Sequence, residues 1–498
     1  MGYPDPASTT AARAADLAEE TLDPPSWDDL RALGHRMIDD MFGYYESLRE
    51  RPVWQPMPEP VRDRFDQPLP VGPQRPAEVY QDFLDTVLPY VTGNTHPRFW
   101  GWVSGNGSGM TMLAELLAAA VNCSVDGLDD AGTKVEAQVI QWCKQMLGYR
   151  HEASGLLVSG CSVANLIGLA VARNTVAGVK RDGLPAGSRL TVYGSTEVHS
   201  SVRKAVQLLG MGTEGLRTVP VDADYRVDLF ALEQTIEADR AAGHTPLAVI
   251  GNAGTVNTGA VDDLTGLAEL AERQRLWFHV DGAFGACLAV SPRLRPLVAG
   301  LDRADSVAFA LHKWMYFPYE AGCVLVRSDS AHHAAFRYDA PYLAPATSGL
   351  SAVRSPQFHE YGPQLSRGFR ALKIWMGIKE QGIDKFGRLI EQNVEQARYL
   401  AELVQDAPEL ELLAPVGMNV VCFRYRGDPA LPEPELNALN TALLNRLQES
   451  GVAVPSHTVL GGRFAIRVAN TNHRSRREDF TVLVAEVIAL GRQLAAGG

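Results

Sequence analysis

The chain has 498 residues, 46% hydrophobic and 21% charged, the make-up of a soluble globular protein of about three domains. Lys and Arg total 46 against 58 Asp and Glu, and the resulting net charge of -12 argues against a nucleic-acid binder. Six scattered cysteines with no CxxC pair argue against a disulfide framework or a metal site, and the longest apolar patch, Met112–Val121, is too short to span a bilayer.

Residues 1–25, rich in Ala, Asp, Pro and Thr, read as a loose tail. They hold no apolar stretch, so no secretory signal is expected and the cytoplasm is the expected compartment. From Trp27 to Leu48 apolar residues recur at helical spacing. A Pro-rich passage from Pro52 to Pro76 reads as irregular, and a second helix is expected over Ala77–Leu88. This N-terminal segment, residues 1–95, has too little core to stand alone and is expected to pack on a partner subunit.

Residues 96–375 alternate short β-rich runs with helical patterns. The expected strands are Gly155–Val158, Leu190–Tyr193, Leu247–Gly251, Leu276–Val280, Asp305–Phe309 and Cys323–Arg327. The expected helices are Thr133–Leu147, Val163–Ala172, Ser200–Leu209, Leu229–Ala241 and Leu264–Arg273. Strands separated by helices imply a mainly parallel α/β sheet, with the closely spaced last strand antiparallel. A loop (Tyr342–Pro363) and a long helical region (Phe369–Val404) lead into a smaller α+β domain, residues 376–498. Its expected strands are Asn419–Tyr425 and Phe464–Ala469; its helices are Glu435–Glu449 and Phe480–Leu494.

In such sheets ligands sit beyond the carboxyl ends of the strands. Ser159-Gly160-Cys161-Ser162 is a small hydroxyl-bearing turn before a helix, suited to a phosphate, or simply a turn with Ser162 as N-cap. His199 precedes the next helix, as a cap, a core residue or a ring-stacking group. Asn252 follows the third strand, where a plain polar turn is the alternative. Asp281 follows a buried strand directly and meets Gly282 and Ala283. Lys313 lies inside an apolar run, where burial suits Schiff-base chemistry. A phosphate turn, a ring-stacking residue, an Asp and a Lys in that order describe a site for pyridoxal 5′-phosphate.

The sequence resembles the group II pyridoxal-phosphate decarboxylases, which include aromatic-L-amino-acid, histidine and glutamate decarboxylases. The resemblance runs from about Trp27 to Leu494. It is carried by Asn94-Thr95-His96-Pro97-Arg98-Phe99, Thr196-Glu197-Val198-His199-Ser200-Ser201, Trp277-Phe278-His279-Val280-Asp281, His312-Lys313-Trp314 and Ser366-Arg367-Gly368-Phe369-Arg370-Ala371-Leu372-Lys373. It implies an aspartate-aminotransferase-like fold (type I of the PLP-dependent transferases), a homodimer, and decarboxylation of an L-amino acid to the amine and CO2. It implies that Lys313 carries the cofactor, Asp281 salt-bridges the pyridine nitrogen, and His199 and Ala283 cover the two ring faces. Cys161, Ser162 and His312 would hold the phosphate, and Asn252 would stand near the ring hydroxyl.

Eukaryotic members are thought to protonate the substrate carbon with a loop Tyr from the other subunit. Counting back from Arg370 without gaps places Phe358 there. A Phe at that place accompanies oxygen-dependent, aldehyde-forming chemistry in some plant relatives, and this stands as the alternative reaction, with transamination beside it. Tyr361, Tyr342 and, through water, His199 are the other candidate acids. Ala310 stands where some relatives carry Asn. By the same resemblance Trp100, Trp102, Val103 and Ser104 line the substrate pocket and favour an apolar or aromatic side chain, with core packing the alternative for the two tryptophans. Arg467 reads first as a structural ion pair, with a place facing the active site as the alternative, and Arg474, Arg476 and Arg477 as a solvated helix start. A catalytically silent binding protein is the reading from another class; intact Lys313, Asp281 and His199 argue against it.

Overall fold

The computed structural model describes residues 20–339, 341, 346–352, 356–427 and 430–496. By its internal contacts the chain forms two units, Met1–Ser47 with Pro58–Pro89, and Leu48–Met57 with Tyr90–Gly498. In the first unit, helix Trp27–Glu46 starts at Ser26, whose side chain accepts from the Asp29 N–H. None of its residues is buried. The Pro-rich passage is not wholly irregular: Glu59–Arg62 forms one helical turn, with Pro60 in the first turn, where a missing N–H costs nothing. The helix expected over Ala77–Leu88 is α-helical at Pro76–Asp82 and continues as a wider turn, Phe83–Val87.

Among its described residues the second unit holds twelve strands: β1 Phe99–Trp100, β2 Ser154–Val158, β3 Leu190–Ser195, β4 Leu216–Val219, β5 Thr245–Asn252, β6 Trp277–Asp281, β7 Ser306–Ala310, β8 Gly322–Val326, β9 Leu410–Leu412, β10 Val420–Tyr425, β11 Val454–Leu460 and β12 Arg463–Ala469. Seven form one sheet in the order β2-β8-β7-β6-β5-β3-β4. Its pairs are parallel except those of β8, antiparallel to both β2 and β7. β2, β6, β7 and β8 are buried along their whole length, as expected of a sheet covered on both faces. The core is correspondingly tight: Ile250 is fully buried, and truncating it to Ala would cost about 2–5 kcal/mol. Edge strand β4, with only its end residues buried, gave no sequence signal.

The five remaining strands form a second sheet, β1-β11-β12-β10-β9. Phe99 and Trp100, expected to open the large domain, pair in parallel with Val454 and Pro455 of the C-terminal sheet. The expected boundary after residue 375 falls inside helix Arg370–Gln381. The long helix expected over Phe369–Val404 is two, split at Gly382, whose φ of +70° an L side chain rarely adopts.

Candidate active site

The parallel register brings the chemistry to one edge. Asn252, the last residue of β5, sits opposite Asp281, the last residue of β6, and Asp281 opposite Ala308 of β7. β7 ends at Ala310 and runs straight into a short helix, Leu311–Trp314, that carries Lys313. These strand ends open onto a cavity of about 230 Å³ lined by His199, Asn252, Asp281, Ala283 and Lys313. The C-terminal sheet closes the other side with Ser456, His457 and Arg467, and the loop after β1 adds Trp102 and Val103. Among the described residues the Lys313 amine has no hydrogen-bond or ion-pair partner.

Asp281 is buried, and both its oxygens accept hydrogen bonds: Oδ1 from the Ala283 N–H (3.1 Å) and Oδ2 from Asn165 Nδ2 (2.8 Å). His199 caps helix Ser200–Leu208, its Nδ1 accepting from the Ser201 N–H (3.2 Å). The neutral ring therefore carries its proton on Nε2. Burial pushes the His199 pKa below the ordinary histidine value, against the nearby Asp281 charge, so the neutral form holds at pH 7. The Asn252 amide and N–H both bind Asp262 Oδ2 (2.9 and 2.7 Å), which fixes that side chain at the cavity wall.

The turn after β2 is built for an anion. Helix Cys161–Ala177 starts at Gly160 without a side-chain cap, leaving first-turn N–H groups with no partner inside the helix. Ser162 is thus the second helical residue, not the N-cap. A Cβ on Gly322 would fall 2.5 Å from the Gly160 Cα, so that wall of the cradle admits only glycine, while one on Gly160 would lie in ordinary contact, 3.4 Å from the His312 ring. His312 Nδ1 accepts from the Ala321 N–H (2.9 Å), which leaves Nε2–H as a donor; burial lowers its pKa to about 3. Burial also pushes the Cys161 thiol up, and it feels the charges of Asp281 and Lys313, so the turn and the cavity are neighbours.

Residues 58–426 match the pyridoxal-dependent decarboxylase conserved domain. The aromatic-L-amino-acid decarboxylase of Bacillus atrophaeus is 31% identical over 94% of this chain and 97% of its own. The chain belongs to the pyridoxal-dependent decarboxylase family. The phenylacetaldehyde synthase of Arabidopsis thaliana is 28% identical over 90% of this chain and 93% of its own. The structure of Oryza sativa TDC with PLP and tryptamine superposes with a TM-score of 0.88 at 26% identity, over 95% of this chain and all of that one. This decarboxylase thus has the type I fold of PLP enzymes, and its cofactor is pyridoxal 5′-phosphate. The site fits it: a glycine cradle with free helix N–H groups for the phosphate, a buried carboxylate for the ring nitrogen, and an unpaired lysine for the aldehyde.

Several expected site residues of the decarboxylase lie elsewhere. Trp100 is in the core under the C-terminal sheet, stacked on Phe480 (4.7 Å) and donating to Ser475 Oγ (3.0 Å); the strand pairing of β1 turns it away from the cavity. Ser104 is not in the cavity lining; its carbonyl accepts from Thr471 Oγ1 (2.9 Å). Phe358 is buried in the main core with the Arg367 guanidinium over its ring (5.3 Å), outside the cavity lining. Tyr361 donates to Asp329 (3.0 Å) outside the cavity lining. Tyr342 lies outside the described residues. Trp102, by contrast, stands at the cavity rim, 60% exposed, in the left-handed region (φ +53°). Arg467 makes no ion pair among the described residues: it faces the cavity, 3% exposed, donating to the carbonyls of Trp102 (2.7 Å) and Asn257 (3.0 Å). Its Nη2 has no protein partner. Arg474 is half-buried and donates to the carbonyls of Asn106 and Gly107; Arg476 and Arg477 are exposed at the helix start as expected. Sequence reasoning missed Phe284, Ser456 and His457. Strand β11, which carries the last two, gave no clear alternation.

Proposed function

We propose that this decarboxylase acts on aromatic L-amino acids, releasing the amine and CO2. The carrying observation is that a buried arginine with an unpaired nitrogen shares one cavity with Lys313, Asp281 and His199. Lys313 would hold the aldehyde of pyridoxal phosphate. Asp281 would pair with its ring nitrogen, His199 and Ala283 would cover the ring faces, and Asn252 would sit near the ring hydroxyl. Cys161, Ser162 and His312 would hold the phosphate. When bound, the cofactor supplies an electron sink for the pair released as the carboxylate leaves.

The chain's own residues do the rest. Arg467 Nη2 binds the substrate carboxylate through a charge-assisted hydrogen bond and orients it. Trp102, Val103, Val256 and Phe284 offer an apolar wall for an aromatic side chain. That an aromatic-L-amino-acid decarboxylase and a structure holding tryptamine match nearly the full chain supports this substrate class. Of the described acid candidates His199 alone lines the cavity, and its Nε2–H would hold the water that delivers a proton to the substrate carbon.

The enzyme is proposed to be a homodimer. Leu116, Leu117 and Val121 are exposed on helix Gly109–Val121, and Trp102 is exposed at the cavity rim, an apolar surface suited to a second copy. Trp27, Leu30 and Phe42, exposed on the N-terminal helix, offer an apolar surface of their own and support reading residues 1–95 as a clasp. All six thiols are free, which supports a reducing compartment such as the cytoplasm.

The test is an assay of the purified protein on a panel of L-amino acids, recording CO2, amine, aldehyde and oxygen uptake, with Lys313→Ala as the blank. Amine and CO2 in equal amounts, without oxygen uptake, are expected. Aldehyde with oxygen uptake would replace this reading with the oxidative one.

A further inference from the structure

We propose that Asn165 is a positioning residue that aims Asp281 and His199 together, its own amide held between the Asp281 carboxylate and a buried hydrogen-bond chain that ends at Trp277. What the two groups serve rests on the decarboxylase reading above. Asn165 lies on helix Cys161–Ala177, one turn past the phosphate cradle, and is fully buried. A buried amide in so apolar a stretch (Val163–Ala172) needs each of its polar atoms satisfied. Asn165 does this with three side chains from two other elements, Asp281 and His279 of β6 and Ser201 of helix Ser200–Leu208. Nδ2 donates to Asp281 Oδ2 (2.8 Å) and to Ser201 Oγ (3.1 Å); Oδ1 accepts from His279 Nε2 (2.9 Å).

The direction of every hydrogen bond in this chain follows from its two ends: the Asp281 carboxylate, which only accepts, turns the Asn165 oxygen to His279 Nε2–H, and Trp277 at the far end only donates. The Trp277 Nε1–H can only donate, and it donates to Ser306 Oγ (2.8 Å). The Ser306 hydroxyl proton is then free for His279 Nδ1 (2.7 Å), directly across the β6–β7 pairing. With Nδ1 accepting, and burial keeping the ring neutral, the His279 proton sits on Nε2 and meets the Asn165 oxygen. The Asn165 amide cannot turn over without setting its oxygen against the Asp281 carboxylate. Its two protons therefore go to Asp281 and Ser201. Ser201, having accepted one, donates its own to His199 Nδ1 (2.8 Å), which leaves the His199 proton on Nε2. Gly168 makes room for the chain, since a Cβ there would fall 2.9 Å from the His279 ring.

Asn165→Ala removes the shared donor. The test reads histidine tautomers by ¹⁵N NMR of the cofactor-free protein, and the pyridoxal-phosphate dissociation constant by titration. In the wild type, His199 and His279 are expected as single Nε2–H tautomers. In Asn165→Ala, His279, which loses the acceptor of its Nε2–H, is expected as a mixture, while the Ser201 N–H keeps His199 as Nε2–H with a shifted resonance, and the dissociation constant is raised about tenfold or more, the loss of one charge-assisted hydrogen bond. Asn165→Asp, which sets a second carboxylate beside Asp281, should weaken binding further. If Asn165→Ala fails to fold, Ser201→Ala cuts only the last link: the His199 resonance should shift with loss of the hydroxyl donor while the Ser201 N–H keeps its Nε2–H tautomer, and His279 should stay unchanged. Unaltered tautomers and cofactor affinity in Asn165→Ala, even with a lowered melting temperature, would make Asn165 a packing residue and overturn the proposal. A wild type that binds no pyridoxal phosphate would instead sink the decarboxylase reading, because the tautomers are measured without the cofactor.

Discussion

Arg467 and Trp102 hold each other in place at the mouth of the cavity: Arg467 Nη1 donates to the Trp102 carbonyl at 2.7 Å, while Nη2 is left without a protein partner. The Trp102 N–H binds Ser456 Oγ (3.1 Å), so both ends of a residue in a disfavoured conformation are tied to the C-terminal sheet. A buried guanidinium with one idle nitrogen is costly unless an anion completes it. Arg467→Met should cut kcat/KM by roughly 10- to 100-fold, the loss of a hydrogen bond to a charged group worth about 1.5–3 kcal/mol. Affinity for the product amine, which lacks the carboxylate, should change far less. An equal loss for substrate and amine would mean that Arg467 only shapes the wall.

Lys313→Ala should abolish turnover and covalent capture of the cofactor, since no other lysine lines the cavity. Asp281, His199 and the Gly160 cradle remain, so the variant should still bind pyridoxal phosphate reversibly. Dialysis checks this: colour should stay with the wild type and wash out of the variant.

Some of this site was legible in the sequence and some was not, for physical reasons. Asp281 and Lys313 stood out because each directly follows a continuous apolar run, and strand ends are where α/β sheets expose chemistry. Asn165 was equally readable as a lone amide inside Val163–Ala172, but helical periodicity assigns it no neighbour; only the strand register reveals Asp281 and His279 beside it. Arg467 was misread because alternation along β12 does not say what a sheet face packs against. Trp100 and Trp102 are two residues apart, yet one is core and one rim, because β1 ends between them and Trp102 turns left-handed. Counting without gaps put Phe358 at the place of the loop Tyr, whereas its ring lies under Arg367.

Acid should destabilise the fold in the range where its buried histidines resist protonation. Burial lowers His279 and His473 to a pKa of about 4 and His332 to about 3. The folded values lie below the unfolded 6.5, so the unfolded chain takes up protons first as pH falls. The stability is fully present above pH 6.5 and is lost on descending toward pH 4, by at most about 1.4 kcal/mol per histidine per pH unit. Urea unfolding at a series of pH values reads the slope. His332→Gln, whose amide can still serve Ser154 and the Tyr361 carbonyl, should flatten it.

The Arg367–Glu136 pair predicts a large penalty for breaking one side and only partial recovery from removing both. Both side chains are fully buried and hydrogen-bonded to each other. Arg367 also donates to the carbonyls of Val125 and Leu157 (2.7 Å each), and Glu136 accepts from the Leu157 N–H (3.3 Å). Burial alone would push the Glu136 carboxyl well up; the guanidinium opposes it. Arg367→Met leaves that carboxyl unpaired and should cost about 3–5 kcal/mol in urea unfolding. In many buried pairs a double apolar replacement is neutral, because no other group depended on the charges. Here Glu136→Leu with Arg367→Met would strand two carbonyls and an N–H of β2 and its neighbour loop, each worth about 1–3 kcal/mol when buried unsatisfied. The double variant should therefore exceed Arg367→Met in stability yet stay below the wild type. A double variant as stable as the wild type would show that water reaches those backbone groups, and that the pair only neutralises itself.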